Sequence, residues 1–423
     1  MTAPHELCVA DAVARLDLRE LTAEALVSDC LARIAEREPV VQAWQVVAPD
    51  AIEQARRIDA RPKRPLLRGL PVGIKDLIDT EDLPTTYGSP IHAGHRPSAD
   101  AACVAALRAA GAIILGKTVT TEFAAYVGGK TRNPRDPTRT PGGSSSGSAA
   151  AVADRMVPAA LGSQTAGSVI RPASFCGVVG YKPTFGTFDL RGVHPLAPSL
   201  DTLGFFVRQV SDVPWMAAAL SGSNEPARIA AVSSPPRLGL CRTDQWPHAE
   251  QSTQQLIEDA ARELERSGSQ LIDIDAFTGV AAAQAIIMGA EAAQVFRGKR
   301  RNHDAQLSAA FRSFLEEGER HPPERLREAR EVAERGRREL PDVFGRVDAI
   351  VTAAAAGEAP VGQQSTGDPA FSRAWTTLGC PCISLPVLEG PAGLPIGLQL
   401  VAAPGQDARL LAIAAWVENQ LAV

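Results

Sequence analysis

The stretch Gly142–Ala153, GGSSSGSAAAVA, decides how this chain is read. Three serines between glycines run into a helix former of small side chains. Four meanings compete for such a stretch. A Gly/Ser linker is flexible, but this one sits between NPRDPTRTP and a strong helix signal, and a linker here would split an otherwise regular alternation of strands and helices. A phosphate-binding loop needs a glycine six residues before its lysine. The nearest match, GGKT at 128–131, has Ala124 at that position. A hydrolase elbow is matched by Gly143–Gly147 with Ser145 at its centre, but the elbow needs a strand before the serine, and a proline-containing loop precedes it. Its histidine must also come late in the chain. The last one, His321, lies beside Pro322 in a charged helical region. What remains is an arrangement of serine and lysine.

The second part of that arrangement is LGSQTAGSVIRPASFCG, which places Ser168 after a run of small residues. A turn of this kind leaves backbone N–H groups free to converge on one point, as an oxyanion hole requires. Serine is a poor nucleophile without a base in hydrogen-bond reach. A lysine serves only when uncharged, which requires burial. LPVGIKD reads as a short strand ending at Lys75.

Around these motifs the chain alternates. LTAEALVSDCLARIAERE is an amphipathic helix with Leu26, Cys30, Leu31 and Ile34 on one face and Thr22 as its cap. A helix, a stop at Gly111 and a buried strand over Ala112–Gly116 follow, then a loop from Tyr126 to Ser148 except for its last residues. GVVGYKP and LGFFV read as strands. RLGLC, HAEQSTQQLIEDAARELERSG and QLIDID form a βαβ unit and hence part of a parallel sheet. Residues 281–340 are helical and charge-rich, with a break at Pro322 and Pro323 and a solvated Arg/Glu face. VDAIVTA, CISLP and IGLQLVA are strands, and DARLLAIAAWVENQLA is the last helix. The pattern predicts one α/β domain over 1–423, a mixed central β-sheet covered by helices on both faces. Its N-terminal helices fall within about 1–65 and a variable helical region at about 281–340.

Composition agrees with a globular chain: 423 residues, 45% hydrophobic and 22% charged. A net charge of −5 argues against nucleic acid as the main partner. The seven cysteines are scattered. Cys380 and Cys382 lack a second pair to complete a zinc site, so all are read as reduced core residues. Without a basic start, an apolar signal region or a long apolar run, the chain is expected to be cytoplasmic, with no membrane contact. His92 and His95 fall in a Gly/Pro loop and are expected to face solvent.

Together these motifs resemble the amidase signature family. The resemblance rests on LPVGIKD, NPRDPTRTPGGSSSGSAAAVA, LGSQTAGSVIRPASFCGVVGYKPT, RGVHPLAPSLDTLGFFVR and GCPCISLPVLEGPAGLPIGLQLVA, and covers most of the chain from about Leu70 onward. It implies a Ser, cis-Ser, Lys triad. By motif, Lys75 is the lysine, Ser144 the relaying serine after a cis peptide from Gly143, and Ser168 the nucleophile, 24 residues beyond Ser144. The backbone N–H groups of Thr165, Ala166, Gly167 and Ser168 would hold the oxyanion, and Ser145 would cap the following helix or support Ser144. The family needs no metal and no organic cofactor. It implies a small-molecule amide as partner and admits a homodimer.

Three departures stand out. Ser146 replaces a glycine of the usual G-G-S-S-G-G. Gln164 stands where the family commonly has Asp. The arginine lies three residues after Ser168 instead of two, as Arg171. That spacing looks like the malonamidase branch, in which the arginine binds a substrate carboxylate. A guanidinium suits a carboxylate geometrically, although the same side chain could serve a structural Asp or backbone carbonyls. The expected reaction is therefore hydrolysis of a small carboxamide, malonamate-like, to acid and ammonia. A carboxylated urea or biuret-pathway amide is the neighbouring alternative. An amidotransferase A subunit of a tRNA-charging complex shares the same core, and a catalytically dead binding protein is the reading from another class.

Overall fold

A computed structural model describes residues 2–62, 65–125 and 127–421. Tyr126, the first residue of the predicted loop, and Ala422, at the end of the last predicted helix, lie outside them. Among the described residues eleven strands join in one sheet: β1 (Trp44–Val47), β2 (Pro71–Lys75), β3 (Ile113–Thr118), β4 (Ala159–Gln164), β5 (Val179–Lys182), β6 (Thr202–Val207), β7 (Arg237–Cys241), β8 (Gln270–Ile274), β9 (Ala349–Ala353), β10 (Cys382–Glu389) and β11 (Pro395–Val401). Their order is β1-β3-β2-β4-β6-β5-β10-β11-β9-β7-β8. The sheet is mixed. β2 runs parallel to β3 and β4, and β7 parallel to β8 and β9, while the strands between them are antiparallel.

Thirteen α-helices flank this sheet among the described residues: α1 (Val9–Asp17), α2 (Ala23–Val41), α3 (Ala51–Asp59), α4 (Ala102–Ala109), α5 (Ser146–Ala153), α6 (Ile170–Cys176), α7 (Val213–Ser221), α8 (Gln251–Arg266), α9 (Val280–His303), α10 (Ala309–Arg320), α11 (Pro323–Arg346), α12 (Ala370–Thr377) and α13 (Asp407–Leu421). In α2, Leu26, Cys30 and Ile34 are buried, Leu31 is half-buried, and Thr22 accepts from the Ala25 N–H as the cap. All seven cysteines are free and buried. No helix among the described residues is long and apolar enough to cross a membrane.

Several details differ from the sequence reading. The N-terminal segment is not wholly helical: the four-residue strand β1 lies between α2 and α3 and pairs with β3. A strand this short carries too little periodicity to stand out. The charged region breaks twice, around 304–308 as well as at Pro322. His92 and His95 do not simply face solvent. They are half-buried, with rings against Tyr87, and burial pushes the His92 imidazole down to about 4.

Strand β2 is buried at every position. Its proline stands first, where a missing N–H costs no ladder bond. Helix α5 packs on β2, β3, β4 and β6, and α6 on β5, β10 and β11. The small side chains of α5 allow that close approach. A Cβ on Gly147 would stand 2.2 Å from the Ala43 carbonyl oxygen. A second apolar core lies under α9, α10 and α11, where Phe123, Phe296 and Phe311 meet ring against ring.

Candidate active site

The ends of β2 and β4, the start of α5 and the turn into α6 meet under α9 and α10. β2 and β4 run parallel, Ile74 beside Leu161, and past the last paired residues Lys75 reaches Ser163. Lys75 is fully buried, and its Nζ lies 2.7 Å from Ser144 Oγ and 2.8 Å from Ser163 Oγ. Burial draws its pKa down from 10.5 to about 7, against the opposing pull of Asp201. Burial likewise pushes the Asp201 carboxyl up to about 6, against hydrogen bonds from Thr165, Leu196 and Ala197.

Among the described residues two other lysines, Lys117 and Lys182, are fully buried, and their surroundings set Lys75 apart. Lys117 donates to the Ile78 carbonyl and to Thr85, and lies 3.3 Å from an Asp76 carboxylate oxygen. Lys182 donates to the carbonyls of Pro183 and Cys380. Both sit among strong acceptors that suit an ammonium. Among the described residues Lys75 has only hydroxyls within hydrogen-bond distance, an environment in which the neutral amine can accept one proton and donate another.

The peptide between Gly143 and Ser144 is cis, as the family pattern implies. It is held from both sides: the Gly143 carbonyl accepts from Arg171 Nη2 at 2.7 Å, and the Ser144 carbonyl from the Thr121 N–H at 3.3 Å. Gly142, at φ +80°, makes the preceding turn in a conformation that favours glycine. Ser145 departs from the expected capping role. It makes no cap hydrogen bond, and its hydroxyl pairs with the Ser163 backbone at 3.3 Å.

The turn Thr165–Ser168 is buried, and no acceptor among the described residues takes the N–H of Ala166, Gly167 or Ser168. Buried, unpaired N–H groups are rare, and three in succession form a cradle for an oxyanion. Gln164 now has a physical account. Its Oε1 accepts from the N–H groups of Val169 and Ile170 at 2.9 and 3.1 Å, capping α6, and its Nε2 donates to Thr376. An amide oxygen thus does the capping a carboxylate could do, and the amide nitrogen adds a donor.

Ser144, Ser168, Thr165, Ala166 and Arg171 line one cavity, closed by Ala124, Ala125, Leu196, Met288 and Phe314. It measures about 10 Å³ to a water-sized sphere, room for about one water molecule. Arg171 is 2% exposed. Besides the Gly143 carbonyl, its Nη2 donates to Thr366 Oγ1 at 3.1 Å. Of the two readings of this arginine, the backbone-carbonyl contact is thus present, and the side chain also faces the cavity. Of the expected site residues, Lys75, Ser144, Ser168, Thr165, Ala166, Gly167 and Arg171 all gather here. Ser163 and Asp201 were not anticipated. Among the described residues no three His, Cys, Asp or Glu side chains come together as metal ligands.

Comparison with known proteins follows the same lines. A family model described as Amidase matches residues 25–411. The A subunit of glutamyl-tRNA(Gln) amidotransferase from Chloroflexus aurantiacus is 34% identical over 475 residues, covering 98% of this chain and 96% of that protein. The crystal structure of the corresponding A subunit from Thermotoga maritima is 29% identical, with a TM-score of 0.82 over 98% of this chain and 95% of that one. A structure from a vestigial protein complex, reported with the evolutionary origins of an s-triazine catabolic enzyme, is 27% identical, with a TM-score of 0.90 over 99% of each chain.

Proposed function

The chain belongs to the amidase family, and from that premise we propose that it hydrolyses a small primary amide through an acyl-enzyme on Ser168. One observation carries the reading: a fully buried lysine amine in contact with Ser144, at a cavity that Ser144 shares with Ser168. Neutral Lys75 accepts the Ser144 proton as Ser144 accepts that of Ser168. The Ser168 oxygen attacks the amide carbon, and the N–H groups of Ala166, Gly167 and Ser168 receive the developing oxyanion. The proton returns through Ser144 to the leaving nitrogen, and ammonia departs. Water then attacks the ester with the same relay as base, releasing the acid.

Arg171 favours an amide that itself carries a carboxylate, because a guanidinium at the cavity wall matches a carboxylate in charge and shape. Malonamate and glutamine both meet that description. The malonamidase-like spacing of Arg171 points to the first. The amidotransferase relatives, at 34% identity over nearly the whole chain, favour the second, with this chain as the ammonia-releasing member of a complex. That alignment is longer than this chain, so the relative carries residues with no counterpart here. A carboxylated urea also meets the description, since it joins an amide nitrogen to a carboxylate that Arg171 could hold.

Ammonia release from glutamine, malonamate, a carboxylated urea and neutral short amides, with and without amidotransferase partner proteins, separates these readings. Ser168→Ala should abolish every activity. Arg171→Ala should slow all substrates, because it also frees the Gly143 carbonyl, but it should raise KM at least tenfold more for carboxylated than for neutral amides. Equal losses on both sets contradict the carboxylate reading.

A further inference from the structure

The turn that presents the three N–H groups is held from behind by residues remote in sequence. A trans peptide points its N–H and C=O in opposite directions, so fixing a carbonyl fixes the N–H of the next residue. The Thr165 carbonyl accepts from Gln284 Nε2 at 2.9 Å. The Ala166 carbonyl lies 2.8 Å from the Thr376 hydroxyl. The Gly167 carbonyl accepts from the Arg171 N–H at 3.0 Å. These three contacts aim the N–H groups of Ala166, Gly167 and Ser168 in turn. The third is ordinary helix geometry. The first two come from side chains on α9 and α12.

We propose that Gln284 and Thr376 are positioning residues for the oxyanion hole, holding its peptides in the orientation the transition state requires. The inference rests on the acyl-enzyme reading above. Gln284 is fully buried near the start of α9, among apolar residues. A buried amide needs partners on both ends. Its Oε1 accepts from Arg373 Nη1 at 2.6 Å, and its Nε2 faces the Thr165 carbonyl and Met288 Sδ. A guanidinium only donates and a carbonyl only accepts, so the network fixes which end of the amide faces the turn. Thr376 receives a hydrogen bond from Gln164 Nε2 at 3.0 Å, and shares its own proton between the carbonyls of Ala166 and, at 3.0 Å, Ser372. Gln164, which caps α6, therefore also orders the hydroxyl behind the turn. The helical region that covers the cavity reaches through Gln284 into the electrophile-binding side of the site.

The test uses the full chain with Gln284→Met and Thr376→Val, which keep size and remove the hydrogen bonds, and Ser168→Ala in parallel. The probe is a small alkylboronic acid, whose tetrahedral adduct with a serine places an oxygen where the oxyanion forms. Each variant should lose roughly 10- to 100-fold in kcat with KM within about threefold of wild type, less than the 10²–10³ for deleting a donor outright. The boronate inhibition constant should weaken by the same factor as kcat/KM. A merely structural role would not link those two quantities. Wild-type kcat and boronate affinity in either folded variant overturns the role of that residue. Loss of kcat with unchanged boronate affinity overturns the proposal for both. If Gln284→Met does not fold, Gln284→Glu, which keeps the bond with Arg373 and puts an acceptor against the Thr165 carbonyl, must show the same coupled losses. If Ser168→Ala stays active, the acyl-enzyme reading itself has failed, a result distinct from all of these.

Discussion

The loop before α5 and the turn into α6 face the cavity with small or polar groups, namely Ser144, Thr165, Ala166, Ser168 and Arg171, and Lys75 at the end of β2 stands behind Ser144. Helices α9 and α10 face it with Met288 and Phe314. The floor is buried and cross-linked by hydrogen bonds, so each polar group there depends on its neighbours. The roof is apolar inside and charged outside, where pairs such as Arg300 with Glu319 are exposed on one partner and contribute little to stability. A satisfied polar floor tolerates few substitutions, whereas an apolar roof can be repacked at modest cost. Apart from Gln284, which α9 sends behind the turn at Thr165, the difference separates chemistry, placed in the floor, from fit, placed in the roof.

Breaking the floor should have the largest effect. Lys75→Met keeps bulk but removes the amine, and amide turnover should fall on the order of 10²–10⁴-fold, with a far-ultraviolet spectrum like that of wild type. Activity within tenfold of wild type would place the base elsewhere. A gentler change at the edge of the floor is Asp201→Asn. The carboxylate pulls the Lys75 pKa up, so its removal should move the acidic limb of the pH profile of kcat/KM to lower pH, by up to about one unit. An upward shift contradicts the assignment. The smallest effect belongs to the roof. Phe314→Ala should change turnover of the shortest amide by less than about tenfold while admitting longer acyl groups. An unchanged chain-length preference would show that Phe314 does not set the fit.

The same division explains what could be read from the sequence. The floor lies in motifs with fixed spacing, so Lys75, Ser144, Ser168 and the turn at 165–167 were legible, as were β2, the β7–α8–β8 unit and the helical stretch near 281–340. Ser163 was not, because one serine in an apolar strand carries no signal until the fold brings it to the Lys75 amine. Asp201 sits 33 residues beyond Ser168, and a chain turn brings it to Thr165. Gln284 left a faint trace, a lone amide in AAAQAIIMGA, since a buried polar residue must find partners. Which partners depends on how α9 crosses the sheet, and that follows from tertiary packing.

The central claim is that an uncharged Lys75 activates Ser168 through Ser144. Its most direct test is the rate at which a fluorophosphonate labels Ser168 between pH 5 and 9. In the native protein the rate should climb as the amine loses its proton, with a midpoint near the value of about 7 set by burial, and level off above it. In Lys75→Met it should be lower at the plateau by roughly 10²-fold or more, without that midpoint. Labelling of the native protein that is flat across this range, or a Lys75→Met protein labelled as fast and with the same midpoint, would contradict the account.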